Sequence, residues 1–298
     1  MTTADIKKNI IKDLKFAGIY SGEIDAQILL EFVTGKSREF LLAHPEYELS
    51  PLQIRRLNFL IFRRQQHEPI AYITGHKEFF GLDFFVTPDV LIPRPETEMI
   101  VEETIQHLKT KELKNEKIFR ILDVGTGSGN IIISIAKQCR LLTIVNNLHL
   151  SASDISGEAI KVARKNAEKH GVEKLIKFYQ SDLFENLHTK YYDIILANLP
   201  YIPSKKCNRF DAIASNRLHP EEVDFEPKAA IFAEDNGTAV IKKFLQQAKN
   251  HINKNGLILV EVDPRNASQL KNYASKLYRS VKLKKDFSGI YRVLKILT

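Results

Sequence analysis

One junction constrains the fold of this chain more than any other. The apolar run Ile118-Phe-Arg-Ile-Leu-Asp-Val124 meets Gly125-Thr-Gly-Ser-Gly129, which opens at once into Asn130-Ile-Ile-Ile-Ser-Ile-Ala-Lys137. A short apolar run ended by glycines and followed by a helical pattern reads as buried strand, tight turn and helix. Glycines there let the backbone approach a ligand and leave helix N–H groups free. A dinucleotide fingerprint would want glycine at 125, 127 and 130, and position 130 is Asn, which disfavours nicotinamide. A phosphate-binding P-loop needs Gly-Lys-Ser/Thr, which is absent. The pattern Asp123-x-Gly-x-Gly-x-Gly129 suits an adenosine ligand whose amino-acid end sits at the loop; a plain tight turn is the bland alternative.

The strand–helix alternation continues. A second strand over Leu148–Ser153 ends at Asp154, where a carboxylate can accept from both ribose hydroxyls. A helix over Glu158–His170 stops at Gly171. The third strand, Ile176-Lys-Phe-Tyr-Gln-Ser-Asp182, ends at a residue able to accept from an adenine amino group, with Leu183 able to lie against the ring. For Asp182, a simple turn residue is an equal reading. Helices over Gly237–Ile252 and Asn266–Leu277 flank a fifth strand, Gly256–Val262. Val281–Phe287 and Tyr291–Leu297 alternate around Ser288-Gly289 as a terminal hairpin. The expected class is α/β: a doubly wound, mostly parallel sheet.

The fourth strand carries the chemistry. Asp193-Ile-Ile-Leu-Ala-Asn198 is too short for a helix and suits a strand buried on both faces. It stops at Asn198, Leu199, Pro200 and Tyr201, and Pro200 and Pro203 forbid further pairing in that ladder. The Asn oxygen and a nearby backbone carbonyl can together hold both hydrogens of a planar –NH2 group, with Tyr201 stacked on its plane. An amide nitrogen is a poor nucleophile because its lone pair is delocalised. Two acceptors on its hydrogens favour the positive charge that develops in the transition state. An Asx turn beside a core tyrosine is the bland alternative.

Residues 1–74 read as helical throughout, with Ile6, Ile10, Ile11 and Leu14 at helical spacing and Ser50-Pro51 opening a long helix. They form a bundle without a catalytic constellation. Residues 75–95 read as a hairpin and Pro-rich linker, and residues 96–298 as the catalytic domain. Arg94 either faces the site or pairs with a local carboxylate. The stretch from Tyr201 to about Ala233 reads as a lid or substrate rim.

Composition narrows the class. The chain has 298 residues, 44% hydrophobic and 27% charged, enough to bury a core. No apolar run is long enough for a bilayer, and the start lacks a signal-peptide core. Cys139 and Cys207 form no metal or redox spacing, so structural thiols in a reducing cytosol are expected. The net charge of +8 is concentrated near the end: Lys271, Lys276, Arg279, Lys282, Lys284, Lys285, Arg292 and Lys295 face only Asp286. That segment suits weak contact with an anionic partner such as RNA, or a solvated sheet edge. The helical region is close to neutral, which weighs against nucleic acid.

Together these residues resemble the class I S-adenosylmethionine-dependent methyltransferases. They are most similar to the protein-(glutamine-N5) methyltransferases that modify peptide chain release factors. The resemblance rests on Glu68-Pro-Ile-Ala-Tyr-Ile-Thr-Gly75, Phe84-Phe-Val-Thr-Pro-Asp-Val-Leu-Ile-Pro-Arg-Pro-Glu-Thr-Glu98, Asp123–Gly129, Asp154-Ile-Ser, Ser181-Asp-Leu-Phe184, Asn198-Leu-Pro-Tyr-Ile-Pro203 and Asp224-Phe-Glu-Pro-Lys228. It implies a seven-stranded class I sheet with an N-terminal helical bundle that helps dock the substrate. It implies S-adenosyl-L-methionine as cofactor, S-adenosyl-L-homocysteine as product, and no metal. Cofactor contacts would fall on Gly125, Thr126, Gly127, Ser128, Gly129, Asp154, Asp182, Leu183 and Asn198. Catalytic contacts would fall on Asn198, Leu199, Pro200 and Tyr201. The implied substrate is the glutamine of the Gly-Gly-Gln loop of class 1 release factors, in the cytoplasm. The sequence departs from the family pattern at Leu199, where the family has Pro, and at Glu261-Val-Asp263, where it has Glu-Ile-Gly. Asn-Leu-Pro-Tyr also resembles ribosomal RNA adenine methyltransferases, so the alternative is an adenine-N6 methyltransferase acting on RNA or DNA.

Overall fold

The chain divides into two units, one formed by Met1–His76 with Glu221–Phe225, the other by Lys77–Pro220 with Glu226–Thr298. The structure is a computed structural model that describes residues 2–110, 118–142, 148–204 and 220–298. Cys207 lies outside the described residues. Cys139 is buried, and burial pushes its thiol up to about 12.

The first unit is helical because its sequence caps and staggers each helix. Helix α1 (Thr3–Phe16) starts at Thr2, whose hydroxyl accepts from the Asp5 N–H. Helix α2 (Gly22–Thr34) ends on Gly35 at φ 66°. Helix α3 (Arg38–Ala43) is capped by Ser37. Helix α4 (Pro51–Gln65) carries a full capping box between Ser50 and Gln53, with Pro at its start. A short helix α5 (Ile70–Thr74) closes the set. Ile10, Leu14, Leu29, Leu30, Leu57 and Leu60 form the core. Arg64 is buried there, donating to Asp25 at 2.7 Å and to Glu222 at 2.6 Å. The segment Glu221–Phe225 is therefore part of this unit, although the sequence around it reads as catalytic-domain loop.

Residues 75–95, expected as a linker, divide between the units. Their hairpin, β1 (His76–Phe79) and β2 (Leu82–Phe85), turns on Phe80 at φ 53° and Gly81 at φ 72°. Phe79 and Phe84 are buried in the second unit's core.

That core is built on a seven-stranded sheet. Its parallel strands are β3 (Phe119–Val124), β4 (Leu148–Asp154), β5 (Ile176–Gln180), β6 (Tyr192–Ala197) and β9 (Ile252–Glu261). Strands β11 (Tyr291–Leu297) and β10 (Ser280–Lys285) add an antiparallel edge, giving the order β10-β11-β9-β6-β3-β4-β5. Successive residues feed opposite faces, the period of a pleated strand. Ile121, Ile194 and Leu257 pack one side with helices α6 (Glu98–Thr110), α7 (Asn130–Leu141) and α8 (Gly157–Lys169). Leu122, Ile195 and Ile258 pack the other with α9 (Ala239–Ala248) and α10 (Ala267–Leu277). Covering both faces removes each such side chain from water, at about 1.5–3 kcal/mol apiece.

A helix boundary differs from expectation. Helix α9 is shorter than Gly237–Ile252, because the His251 N–H closes a turn on Ala248 O and β9 begins at Ile252. After Pro200 the chain has left the β6 ladder, as expected. Ile202–Pro203 (β7) forms a separate two-residue parallel ladder with Phe232–Ala233 (β8), away from the main sheet.

Candidate active site

The carboxyl ends of β3, β4, β5 and β6 converge on a cavity of about 540 Å³. Strand β3 pairs with β4 on one side and β6 on the other, so the winding reverses there. Open α/β sheets bind ligands at that reversal.

Gly125, Gly127 and Gly129 all have positive φ, at 72°, 54° and 82°. Their surroundings differ. A β-carbon at 125 would lie 2.9 Å from Leu199 Cδ2, and one at 129 would lie 2.7 Å from Ile133 Cδ1. One at 127 would meet nothing within 4 Å, because Gly127 borders the cavity. Behind the loop stands Asn166, fully buried on α8. Its Nδ2 donates to Ser128 O and Phe85 O, and its Oδ1 accepts from the Phe85 N–H. Sequence reading missed it, since a lone Asn inside a helix carries no distinguishing pattern.

Asp154 lines the cavity and grips the loop. Its Oδ2 accepts from the Gly127 N–H and its Oδ1 from the Ser156 N–H, both at 2.9 Å. Burial pushes its carboxyl above the usual range, against the pull of those N–H groups. Below lies Asp123, wholly buried. It accepts from the Thr126 hydroxyl at 2.7 Å, and its Oδ1 has no hydrogen-bond partner among the described residues. Burial pushes this carboxyl up to about 7.

Asp182 and Leu183 also line the cavity. Asp182 accepts from Lys243 at 2.7 Å, a partner the sequence did not suggest. Leu183 has φ 52°, a left-handed backbone that is uncommon outside glycine and clusters at ligand sites.

Asn198 ends β6 at the cavity wall, with Leu199 and Pro200 beside it. Its Nδ2 donates to Thr97 Oγ1 at 3.0 Å. The amide nitrogen is thereby committed to Thr97. Thr97 belongs to the 3₁₀ turn Pro95–Thr97 and donates to Glu261 Oε2 at 2.6 Å. Tyr201 is not part of the large cavity's lining. Its hydroxyl donates to Glu261 Oε1 at 2.9 Å, and the residue lines a smaller adjoining pocket with Arg94, Asn198 and Leu199. Burial pushes the Glu261 carboxyl up, while Thr97 and Tyr201 draw it down. Arg94 lines the cavity, and the carboxylate it pairs with is not a local one but buried Glu226, 132 residues on. Glu226 also accepts from the Ile92 N–H at 3.0 Å, tying the Pro-rich stretch to the chain after β7.

Both acids of the stretch Glu261-Val-Asp263 are tied into the fold. Glu261 joins Thr97 to Tyr201. Asp263, fully buried, accepts from the Arg265 backbone N–H at 2.8 Å and pairs with the Arg265 guanidinium.

Residues 5–75 match the PrmC N-terminal domain, and residues 115–293 match a methyltransferase domain. A release factor glutamine methyltransferase of Coxiella burnetii is 36% identical over 295 residues, covering 99% of this chain and 98% of that protein. The chain belongs to the release factor glutamine methyltransferase family. It is therefore a methyltransferase. The corresponding Haemophilus influenzae protein is 34% identical over 92% of this chain and 90% of its own. A bifunctional methyltransferase of Rickettsia bellii is 33% identical, but the chain spans about half that protein's length, 52%. Among solved structures, the hMettl16 catalytic domain bound to MAT2A 3′UTR hairpin 6 shares the fold: TM-score 0.52, 19% identity, 83% of this chain and 82% of that one. No helix among the described residues is long and apolar enough to cross a membrane.

Proposed function

We propose that this enzyme transfers the methyl group of S-adenosyl-L-methionine to the side-chain amide nitrogen of glutamine in the Gly-Gly-Gln loop of class 1 release factors. The observation that carries the reading is the Asn198 amide, whose NH2 is committed to Thr97 and whose oxygen is left to accept at the cavity. An acceptor held there suits a substrate –NH2 group.

The cavity residues fit the cofactor. Gly127 leaves open space at the loop, Asp154 sets a carboxylate beside it, and Leu183 supplies an apolar wall. The volume lies within the range of about 300–1,000 Å³ common for small-molecule sites. When bound, S-adenosyl-L-methionine would supply an electrophilic methyl on a sulfonium: the C–S bond breaks as the N–C bond forms, S-adenosyl-L-homocysteine is left, and the amide nitrogen gives up one proton to solvent. Gly125–Gly129 and Asp154 would hold its amino-acid and ribose parts, and Asp182 and Leu183 would hold adenine. Asn198 Oδ1 and the carbonyl at 199 orient the glutamine amide in line. Such preorganised groups contribute about 2.7–4 kcal/mol each. Tyr201 then acts through Glu261 rather than by stacking.

The helical unit docks the factor, and a cytoplasmic location follows from that substrate. Within the basic 271–298 segment, Lys284 and Lys295 both pair with Glu103 and Arg292 pairs with Asp286, so these three charges are matched inside the fold. This disfavours the adenine-N6 alternative. Tritiated-methyl transfer to purified release factor and total RNA, side by side, tests the assignment. Label is expected on the factor's glutamine and lost with Asn198→Ala; label in RNA alone overturns the reading.

A further inference from the structure

The hydrogen-bond chain behind Asn198 has a direction. Glu261 is buried, and each of its two oxygens accepts a hydrogen, Oε2 from Thr97 and Oε1 from Tyr201. The Thr97 hydroxyl spends its one hydrogen on Glu261. Its remaining lone pairs can then only accept, so they select the NH2 end of the Asn198 amide. A flipped amide would set Oδ1 against Thr97 Oγ1 with no hydrogen between them. Thr97 is 1% exposed, so water cannot fill in. The three residues come from separate elements: the 3₁₀ turn before α6, the end of β6 and the end of β9.

We propose that Thr97 and Glu261 are positioning residues that lock the Asn198 oxygen toward the cavity, making the site an acceptor-only slot that takes a primary amide and rejects a carboxylate. The inference rests on the proposed function, because it assigns the orientation of that same asparagine. It adds that substrate discrimination of glutamine from glutamate originates in a buried carboxylate which the substrate never touches.

The test compares Thr97→Val, Thr97→Ser and Asn198→Ala in the full chain, with release factor as substrate. Methyl-transfer kcat, S-adenosyl-L-methionine affinity by calorimetry, and Tm are read for each. Thr97→Val is isosteric and loses only the hydroxyl. It is expected to lower kcat by roughly 100-fold, as misplacement of a reacting group does. Cofactor affinity is expected to stay within about twofold, and Thr97→Ser to recover kcat to within about threefold, since only the hydroxyl is asked to act. A Thr97→Val enzyme with near-normal kcat beside an inactive Asn198→Ala overturns the positioning role while leaving the proposed function standing. Joint loss of kcat, cofactor affinity and Tm in both Thr97 variants also overturns it, as a structural effect. Full activity in Asn198→Ala instead removes the proposed acceptor itself.

Discussion

The side chain of Leu199 occupies the space a β-carbon at position 125 would need, with its Cδ2 2.9 Å from that point. The glycine turn after β3 and the Asn-Leu-Pro-Tyr turn after β6 are thus packed as one piece. Leu199, where the family pattern has Pro, is buried against the loop that lines the cavity.

The loop glycines separate a steric role from a ligand role. Gly129→Ala drives a β-carbon into Ile133 Cδ1 at 2.7 Å and Ala163 Cβ at 3.2 Å, at φ 82°. Overpacking plus left-handed strain is expected to cost about 2–4 kcal/mol in urea unfolding. Gly127→Ala meets no protein atom and is expected to cost only about 1 kcal/mol. It is expected to weaken cofactor binding instead, because its β-carbon enters the cavity. Equal stability losses in the two variants would refute this division.

Gly237 packs against the Asn-Leu-Pro-Tyr turn from outside the cavity. A β-carbon there would lie 2.0 Å from the Tyr201 carbonyl oxygen and 2.8 Å from its carbon, both backbone. Backbone cannot step aside as a leucine tip can. Gly237→Ala is expected to displace the chain around Tyr201 and reduce methyl transfer by about 100-fold or more, the cost of a displaced reacting geometry. Normal activity would show that the turn tolerates movement.

Asp123 makes stability depend on pH. Its carboxyl is pushed up to about 7 by burial, while an unfolded Asp titrates near its ordinary 3.8. Between those values the folded chain holds a proton that the unfolded chain has released. The contribution is complete below the unfolded value and is lost as pH rises through 7, at about 1.4 kcal/mol per pH unit. Relative to wild type, Asp123→Asn is therefore expected to gain stability from pH 5 to pH 7. Urea unfolding at pH 5, 6 and 8 measures the gap; a constant gap rules out the shift.

Arg64 is the charged centre of the helical unit, 2% exposed against Asp25 at 4% and Glu222 at 30%. Removing one member of a buried pair leaves the other charge desolvated, which costs about 3–5 kcal/mol. Arg64→Ala is expected in that range, and Glu222→Gln well below it, because Glu222 is partly solvated. Similar melting temperatures for both variants would show that the Asp25 pairing contributes little.

Much of this was legible in local pattern. Ser50-Pro51 with Gln53 announces its capping box, and alternate residues such as Ile121 and Leu122 must face opposite sides of a strand. The glycines, Asp154 and Asn198 were legible for the same reason: each sits where a strand ends, and strand ends follow from short apolar runs. Other contacts span long gaps that no local period reports. Thr97 reaches Glu261 across 164 residues, Arg94 reaches Glu226 across 132, and Asn166 reaches Phe85 across 81.

Sequence alone determined the strand order of appearance, the turn chemistry and the residue types at the cavity, because these depend on neighbours within a few positions. Only the folded chain decided which way the Asn198 amide faces, that Tyr201 serves Glu261, and that Asp182 meets Lys243. Those outcomes depend on which side chains the sheet order brings within hydrogen-bond reach, and on burial that denies them water as a substitute partner.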